Sequence, residues 1–191
     1  MPDEAKLIAD LKKKDSAAYR QVIEDFGNSL YNVAFRILKD REKAYEAVQE
    51  ALLKMVQSID RFEGRSSLKT WLYRITVNEA LMAQRKELPR LDNPIDELMP
   101  SYVKERLKTP LPDWATDPEK VAANHEFEAY FRQVIEELPE ALRTAYILKD
   151  IEGLSEKEIC EVLGLTKAAV KNRAHRARLI LRQKIGERYG D

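Results

Sequence analysis

The chain has little with which to hold a metal or cross-link itself. It contains one cysteine, Cys160, and two histidines, His125 and His175, far apart in sequence. A single cysteine excludes an intramolecular disulfide. These few ligands fit no zinc-type spacing. No nucleophile, paired-carboxylate or phosphate-loop motif is present either, so neither an enzyme nor a cofactor is expected. Long apolar runs are also missing. Nothing approaches the ~18 consecutive apolar residues of a membrane-spanning helix. The opening MPDEAKLIADLKKK has no apolar core of a signal peptide, so a cytoplasmic location is expected. No strand-like alternation occurs, which leaves an all-α fold. Net charge is absent too: 33 Lys and Arg balance 33 Asp and Glu. That excludes a protein basic all over but hides strong segregation. Residues 65–90 are mostly basic, 126–161 mostly acidic and 167–184 purely basic. Two basic islands on an acidic background imply two anionic contacts or one long one.

The most informative stretch is 154–184, LSEKEICEVLGLTKAAVKNRAHRARLILRQK. Ser155 with Glu158 three residues on is a capping-box helix start. Ile159 and Val162 share a face, Cys160 fills space between helices, and Gly164 ends the helix. Thr166 caps a second helix in which Val170, Ala174, Ala177 and Leu181 form one stripe. The remainder faces outward as cations: Lys167, Lys171, Arg173, Arg176, Arg178, Arg182 and Lys184. This is the pattern of a helix-turn-helix with its second helix in a major groove. A basic amphipathic helix alone also suits a solvated surface or a protein partner.

Periodicity elsewhere predicts helices over 2–14, from 15 or 16 to a stop at Gly27, over 29–38, and from about 41 to 59. In the last, Ala44, Val48, Ala51, Leu52, Met55 and Ile59 point inward. Glu42, Glu46, Gln49, Glu50 and Lys54 point outward. A loop at 62–67 precedes a helix to about 86, capped by Ser66 or Ser67. Its buried stripe is Leu68, Leu72, Ile75 and Met82. Beside it lie Trp71, Arg74, Asn78 and Arg85, an aromatic, two guanidinium groups and an amide. That mix suits single-stranded nucleic acid, where bases stack on aromatics and an amide reads an extruded base. It also fits a packed tryptophan beside solvated polar groups.

Six of the eight prolines fall within 88–118, so this stretch reads as a linker containing Trp114. Beyond it come a helix over 119–138 and another opened by Pro139 and ended by Gly153. The division is 1–88, a linker at 89–118, and 119–191.

Two basic helical modules on a proline-rich tether, with the strings FEGRSSLKTWLYRITVNEALMAQRK and LPEALRTAYILKDIEGLSEKEICEVLGLTKAAVKNRAHRARLILRQKI, resemble regions 2 and 4 of extracytoplasmic-function (ECF) sigma factors of bacterial RNA polymerase. The resemblance implies promoter-specific transcription initiation. The first module would bind the polymerase clamp helices through Glu46, Gln49, Glu50 and Lys54. It would melt the minus-ten element through Phe62, Arg65, Ser66, Ser67, Trp71, Arg74, Asn78, Arg85 and Lys86. Asn78 and the 62–67 loop would hold a flipped base. The second module would read the minus-thirty-five element through Thr166, Lys167, Lys171, Asn172, Arg173, His175, Arg176 and Arg178. Implied partners are core RNA polymerase (clamp helices and flap), promoter DNA and an anti-sigma factor, with no membrane insertion. The family's A-E-D-V-V-Q-E string reads AYEAVQE here, with Tyr45 in place of an acid. The alternative reading is a stand-alone helix-turn-helix regulator.

Overall fold

The computed structural model describes residues 2–87 and 125–189. The elements in order are α1 (Pro2–Lys12), α2 (Ser16–Leu38), α3 (Arg41–Ser58), a 3-10 turn (Ile59–Arg61) and α4 (Leu68–Glu87). After 88–124 come α5 (His125–Glu137), α6 (Glu140–Tyr146), a π-helical turn (Ile147–Ile151), α7 (Glu156–Leu163) and α8 (Lys167–Tyr189). The described residues contain no strand. The linker expected at 89–118, with Trp114, and the start of the helix expected from 119 lie outside the described residues.

Local signals account for most helix ends. Asp15 caps α2 by accepting from the Ala17 N–H at 2.8 Å. Asp40 caps α3 through the Glu42 and Lys43 N–H groups. Gly27 is not the stop that the sequence suggests. The helix runs through it because Val22, Leu30, Val33, Ala34 and Ile37 keep one continuous buried stripe. The chain leaves helical geometry at Lys39 instead, at φ +60°, with its N–H donating to the Phe35 carbonyl.

Among the described residues two apolar clusters form. The larger joins α1–α4 to Ile147, Leu148, Leu154, Ile159, Val162 and Val170, so helices either side of 88–124 share one core. The smaller belongs to α5, α6 and α8 alone, around Val134, Leu142, Ala177, Leu181 and Ile185. The shared core has polar clasps at its rim. Tyr73, fully buried on α4, donates its hydroxyl to Glu152 at 2.9 Å, and Arg36 ion-pairs with the same carboxylate. Burial, then the bond to Glu152, pushes the tyrosine pKa up. Thr70 donates to Glu158 at 3.1 Å. Arg143, only 4% exposed, donates to the carbonyls of Glu136 (3.1 Å) and Ile37 (3.2 Å), satisfying the C-terminal end of α2. Burial lowers its pKa, though an arginine remains charged.

This contact explains the differences on α4. The helix is buried by α2 and α3 on one side and by α7 on another. Its interior set is therefore wider than one stripe: Leu68, Thr70, Trp71, Leu72, Tyr73, Thr76, Val77 and Ala80. Met82, expected inside, is 49% exposed because neither neighbouring layer covers that arc.

Candidate nucleic-acid interface

The helix-turn-helix forms as its residues dictate. Ser155 and Glu158 make a reciprocal capping box on α7, and Gly164 closes α7 at φ +65°. The Ser155 bonds hold the Glu158 carboxyl below its ordinary pKa. Thr166 Oγ1 accepts from the Ala169 N–H at 3.3 Å and starts α8. Val170, Ala174, Ala177 and Leu181 are buried, as the stripe predicts. Opposite them, Lys167, Lys171, Asn172 and His175 are exposed, with Thr166 at the tip and Arg173 and Arg176 half-buried.

The cations are not an isolated array. Lys167 and Lys171 approach Glu156 at 3.6 and 3.8 Å, and Lys149 holds the same carboxylate at 3.0 Å, lowering its pKa. Arg178 grips Asp150 through Nε and Nη2. That bond raises the guanidinium pKa and gives the exposed group a partner on the π-helical turn. Arg178 stays exposed, so its expected DNA contact would have to compete with Asp150. Exposed ion pairs contribute only ~0.2–1 kcal/mol each, so a phosphate can replace Glu156 beside Lys167 and Lys171.

On α4, Arg74, Asn78, Arg85 and Lys86 are exposed and, with Met82, line one arc. Trp71 does not lie open beside them. It is 7% exposed, and the Phe62 ring sits against it at 4.9 Å, tilted by 40°. Both aromatics assigned to the melted strand are thus interior. The loop between them stays outside: Arg65 and Ser67 are exposed and Ser66 is half-buried. Arg65 pairs with Glu63, and Ser67 Oγ caps α4 by accepting from the Thr70 N–H at 3.1 Å.

On α3, Glu46, Gln49 and Glu50 are exposed as expected. Lys54, partly exposed beside them, also ties α3 to α4 through Glu79 at 2.6 Å. The polar reading of this face missed its apolar part. Tyr45, Leu53 and Val56 are all exposed. Tyr45 also lines an open cleft of about 600 Å³ with Tyr31, Arg41, Glu42, Glu46 and Gln49. The signal was available: Tyr45, Leu53 and Val56 are apolar residues off the buried stripe of α3.

The comparisons with known proteins bear on this geometry. The family model "Sigma-70 region 2" matches residues 22–88, and "Sigma-70, region 4" matches 128–181. Over 175 residues the chain is 30% identical to the RNA polymerase sigma-H factor of Pseudomonas aeruginosa, covering 90% of this chain and 88% of that protein. It is 30% identical to the ECF RNA polymerase sigma factor SigW of Bacillus subtilis, covering 94% and 95%. With the ECF RNA polymerase sigma-E factor of Haemophilus influenzae the identity is 33%, covering 94% and 93%. The chain belongs to the extracytoplasmic-function sigma factors. Its fold is shared with CnrH, solved in complex with the cytosolic domain of CnrY, at a TM-score of 0.67, 21% identity and 97% and 98% coverage. The sigma factor RpoE of Bartonella quintana, solved with the anti-sigma factor NepR, aligns at 0.62, 24% identity and 90% and 98% coverage. As a sigma factor the protein serves promoter-specific transcription initiation, a DNA-recognition role. Among the described residues no helix is long and apolar enough to cross a membrane, and no His, Cys, Asp and Glu group could hold a metal.

Proposed function

We propose that residues 1–88 bind core RNA polymerase and open the minus-ten element, that 89–118 tether, and that 119–191 read the minus-thirty-five element. The observation carrying this is the pair of exposed basic helix faces on one chain. One is Arg74, Asn78, Arg85 and Lys86 on α4; the other is Lys167, Lys171, Asn172 and His175 on α8, with the half-buried Arg173 beside them. The α8 face enters a major groove, with its lysines and arginines against phosphates and Asn172 toward base edges. The α4 arc follows a single strand, and Asn78 reads a base extruded beside the 62–67 loop. Trp71 supports that site from beneath, with Phe62 over it, instead of stacking on bases. Melting costs ~1.4 kcal/mol per base-pair step, and one captured base returns roughly 1–3 kcal/mol. Such a chain opens DNA only as a subunit of a larger machine, here core polymerase in the cytoplasm. The clamp helices meet Glu46, Gln49 and Glu50 around the apolar Tyr45, Leu53 and Val56, and an anti-sigma factor competes for the released modules.

The closed contact between α4 and α7 is the resting arrangement. The first helix of a helix-turn-helix crosses the DNA backbone, whereas α7 here packs on α4, with its Glu158 bonded to Thr70. The modules part on the polymerase.

The test is transcription by core polymerase on fragmented genomic DNA with and without the protein, mapping RNA 5′ ends. New starts sharing two upstream boxes are expected. Asn78→Ala should spare closed-complex formation and impair opening. Equal loss in both steps makes Asn78 structural, and no new starts at all removes the reading.

A further inference from the structure

Helix α1 lies outside the matched family segment, which begins at residue 22. Nothing in the promoter-binding account uses it. Yet two of its side chains reach the two feet of the exposed 62–67 loop. At one foot, Lys12 Nζ donates to the Phe62 carbonyl at 2.8 Å. At the other, Glu4 Oε1 accepts from the Leu68 N–H, the first amide of α4, at 2.5 Å. The helix between these anchors is itself fixed. Leu7 and Leu11 are buried in the shared core, and the Tyr19 hydroxyl donates to the Leu11 carbonyl at 3.1 Å. Eight residues of helix rise ~12 Å, so α1 acts as a rigid spacer between the two anchors.

The loop has little else to define its shape. Glu63, Gly64, Arg65 and Ser67 are exposed, and Gly64 adopts φ +71°. Ser67 satisfies the third amide of α4, and the Glu4 carboxylate satisfies the first, where helix-terminal N–H groups favour negative charge. At the other end, the bond from Lys12 fixes the backbone of Phe62, whose ring lies on Trp71. The chain of contacts therefore runs from α1 through Phe62 to the floor under the α4 arc.

We propose that Glu4 and Lys12 are positioning residues for base capture: α1 is a splint that sets the span and pitch of the 62–67 loop, and through it the discrimination among bases at the captured position. This rests on the reading that the loop and Asn78 hold an extruded minus-ten base. A strained or mobile loop would still bind phosphates, because charge attraction tolerates displacement. It would lose base selectivity, because hydrogen-bond readout does not.

The experiment uses the full chain with core polymerase on promoters differing only in the base at the captured position. The readout is the ratio of initiation between the preferred base and the other three. Lys12→Met removes the donor, Lys12→Arg retains one, and Glu4→Gln keeps shape while removing charge. Lys12 is exposed, so its replacement leaves the fold intact. The expected result is a roughly tenfold collapse of the ratio in Lys12→Met, the scale of one lost base readout. Glu4→Gln should show a smaller loss, and Lys12→Arg should recover most of the ratio. Upstream-element binding and thermal midpoint should stay unchanged. Activity that falls equally for all four bases, or a ratio that stays at its native value, overturns the proposal. The double variant Arg65→Ala, Ser66→Ala separates the two levels. A ratio insensitive to these loop changes defeats base capture by the loop itself. A ratio lost there but kept in Lys12→Met and Glu4→Gln defeats the splint alone.

Discussion

Tyr73→Phe tests the closed arrangement most directly. The substitution keeps the ring in the shared core and removes only the hydroxyl that bonds Glu152 at 2.9 Å. A hydrogen bond to a charged partner is worth about 1.5–3 kcal/mol. Glu152 keeps Arg36, and its side chain is only 10% exposed, so its charge stays compensated. The lower part of the range applies, about 1.5–2 kcal/mol, or about 10–30-fold in the balance between closed and parted modules. The only cysteine supplies the assay. Cys160 lies on α7, half-buried against the shared core. Its alkylation in the full chain, under conditions where reclosing is faster than reaction, follows the parted fraction. The rate should rise about 10–30-fold in Tyr73→Phe. Circular dichroism should remain native. An unchanged rate in a folded variant would refute the clasp, and a faster rate with lost helicity would mean that the mutation unfolds α7 and does not release it.

Three further outcomes follow from the geometry. Gly27→Ala should stabilise the protein by ~1 kcal/mol, because a mid-helix glycine is unfavourable and the new Cβ meets only Ile23 Cγ2 at an ordinary 3.7 Å; urea titration reads this as a higher midpoint at constant slope. Lys171→Ala should reduce the salt slope of upstream-element binding by the polymerase complex by about 0.9, one phosphate contact; an unchanged slope would assign Lys171 to Glu156 alone. Glu158 has its folded pKa below the ordinary glutamate value of 4.5, first through Ser155. Its contribution is therefore complete above pH ~4.5 and lost as pH falls through the lower folded value. The urea midpoint should fall in that acid window, and Glu158→Gln should flatten the profile.

The helix-turn-helix was legible in the sequence because each of its signals is local. The capping pair, the Gly164 turn and the Val170–Ala174–Ala177–Leu181 stripe all lie within a turn or two of the structure they dictate. The outward α3 residues and the exposed α4 polar arc were legible for the same reason. What escaped depends on contacts between distant residues. Nothing near Tyr73 announces Glu152, so an α4 buried on two sides read as a helix with one buried stripe. That error placed Met82 inside and Trp71 outside. Gly27 misled in the opposite sense: a local stop signal was overruled by an apolar stripe continuing on both sides of it. The ion pairs of Lys54 and Arg178 were not legible because their partners, Glu79 and Asp150, lie on other elements.

The two clusters of the C-terminal helices have a consequence for chimaeras. The cluster around Val134, Leu142, Leu181 and Ile185 is private to α5, α6 and α8, while Ile147, Leu148, Ile159 and Val170 join the core of the other half. A C-terminal half transplanted from another sigma factor would bring its own keel and keep its helical bundle. Its seam would meet unfamiliar neighbours. Such hybrids should be well folded and faulty in timing, resting half-open or refusing to part, until Arg36, Tyr73 and Glu152 are exchanged as a set.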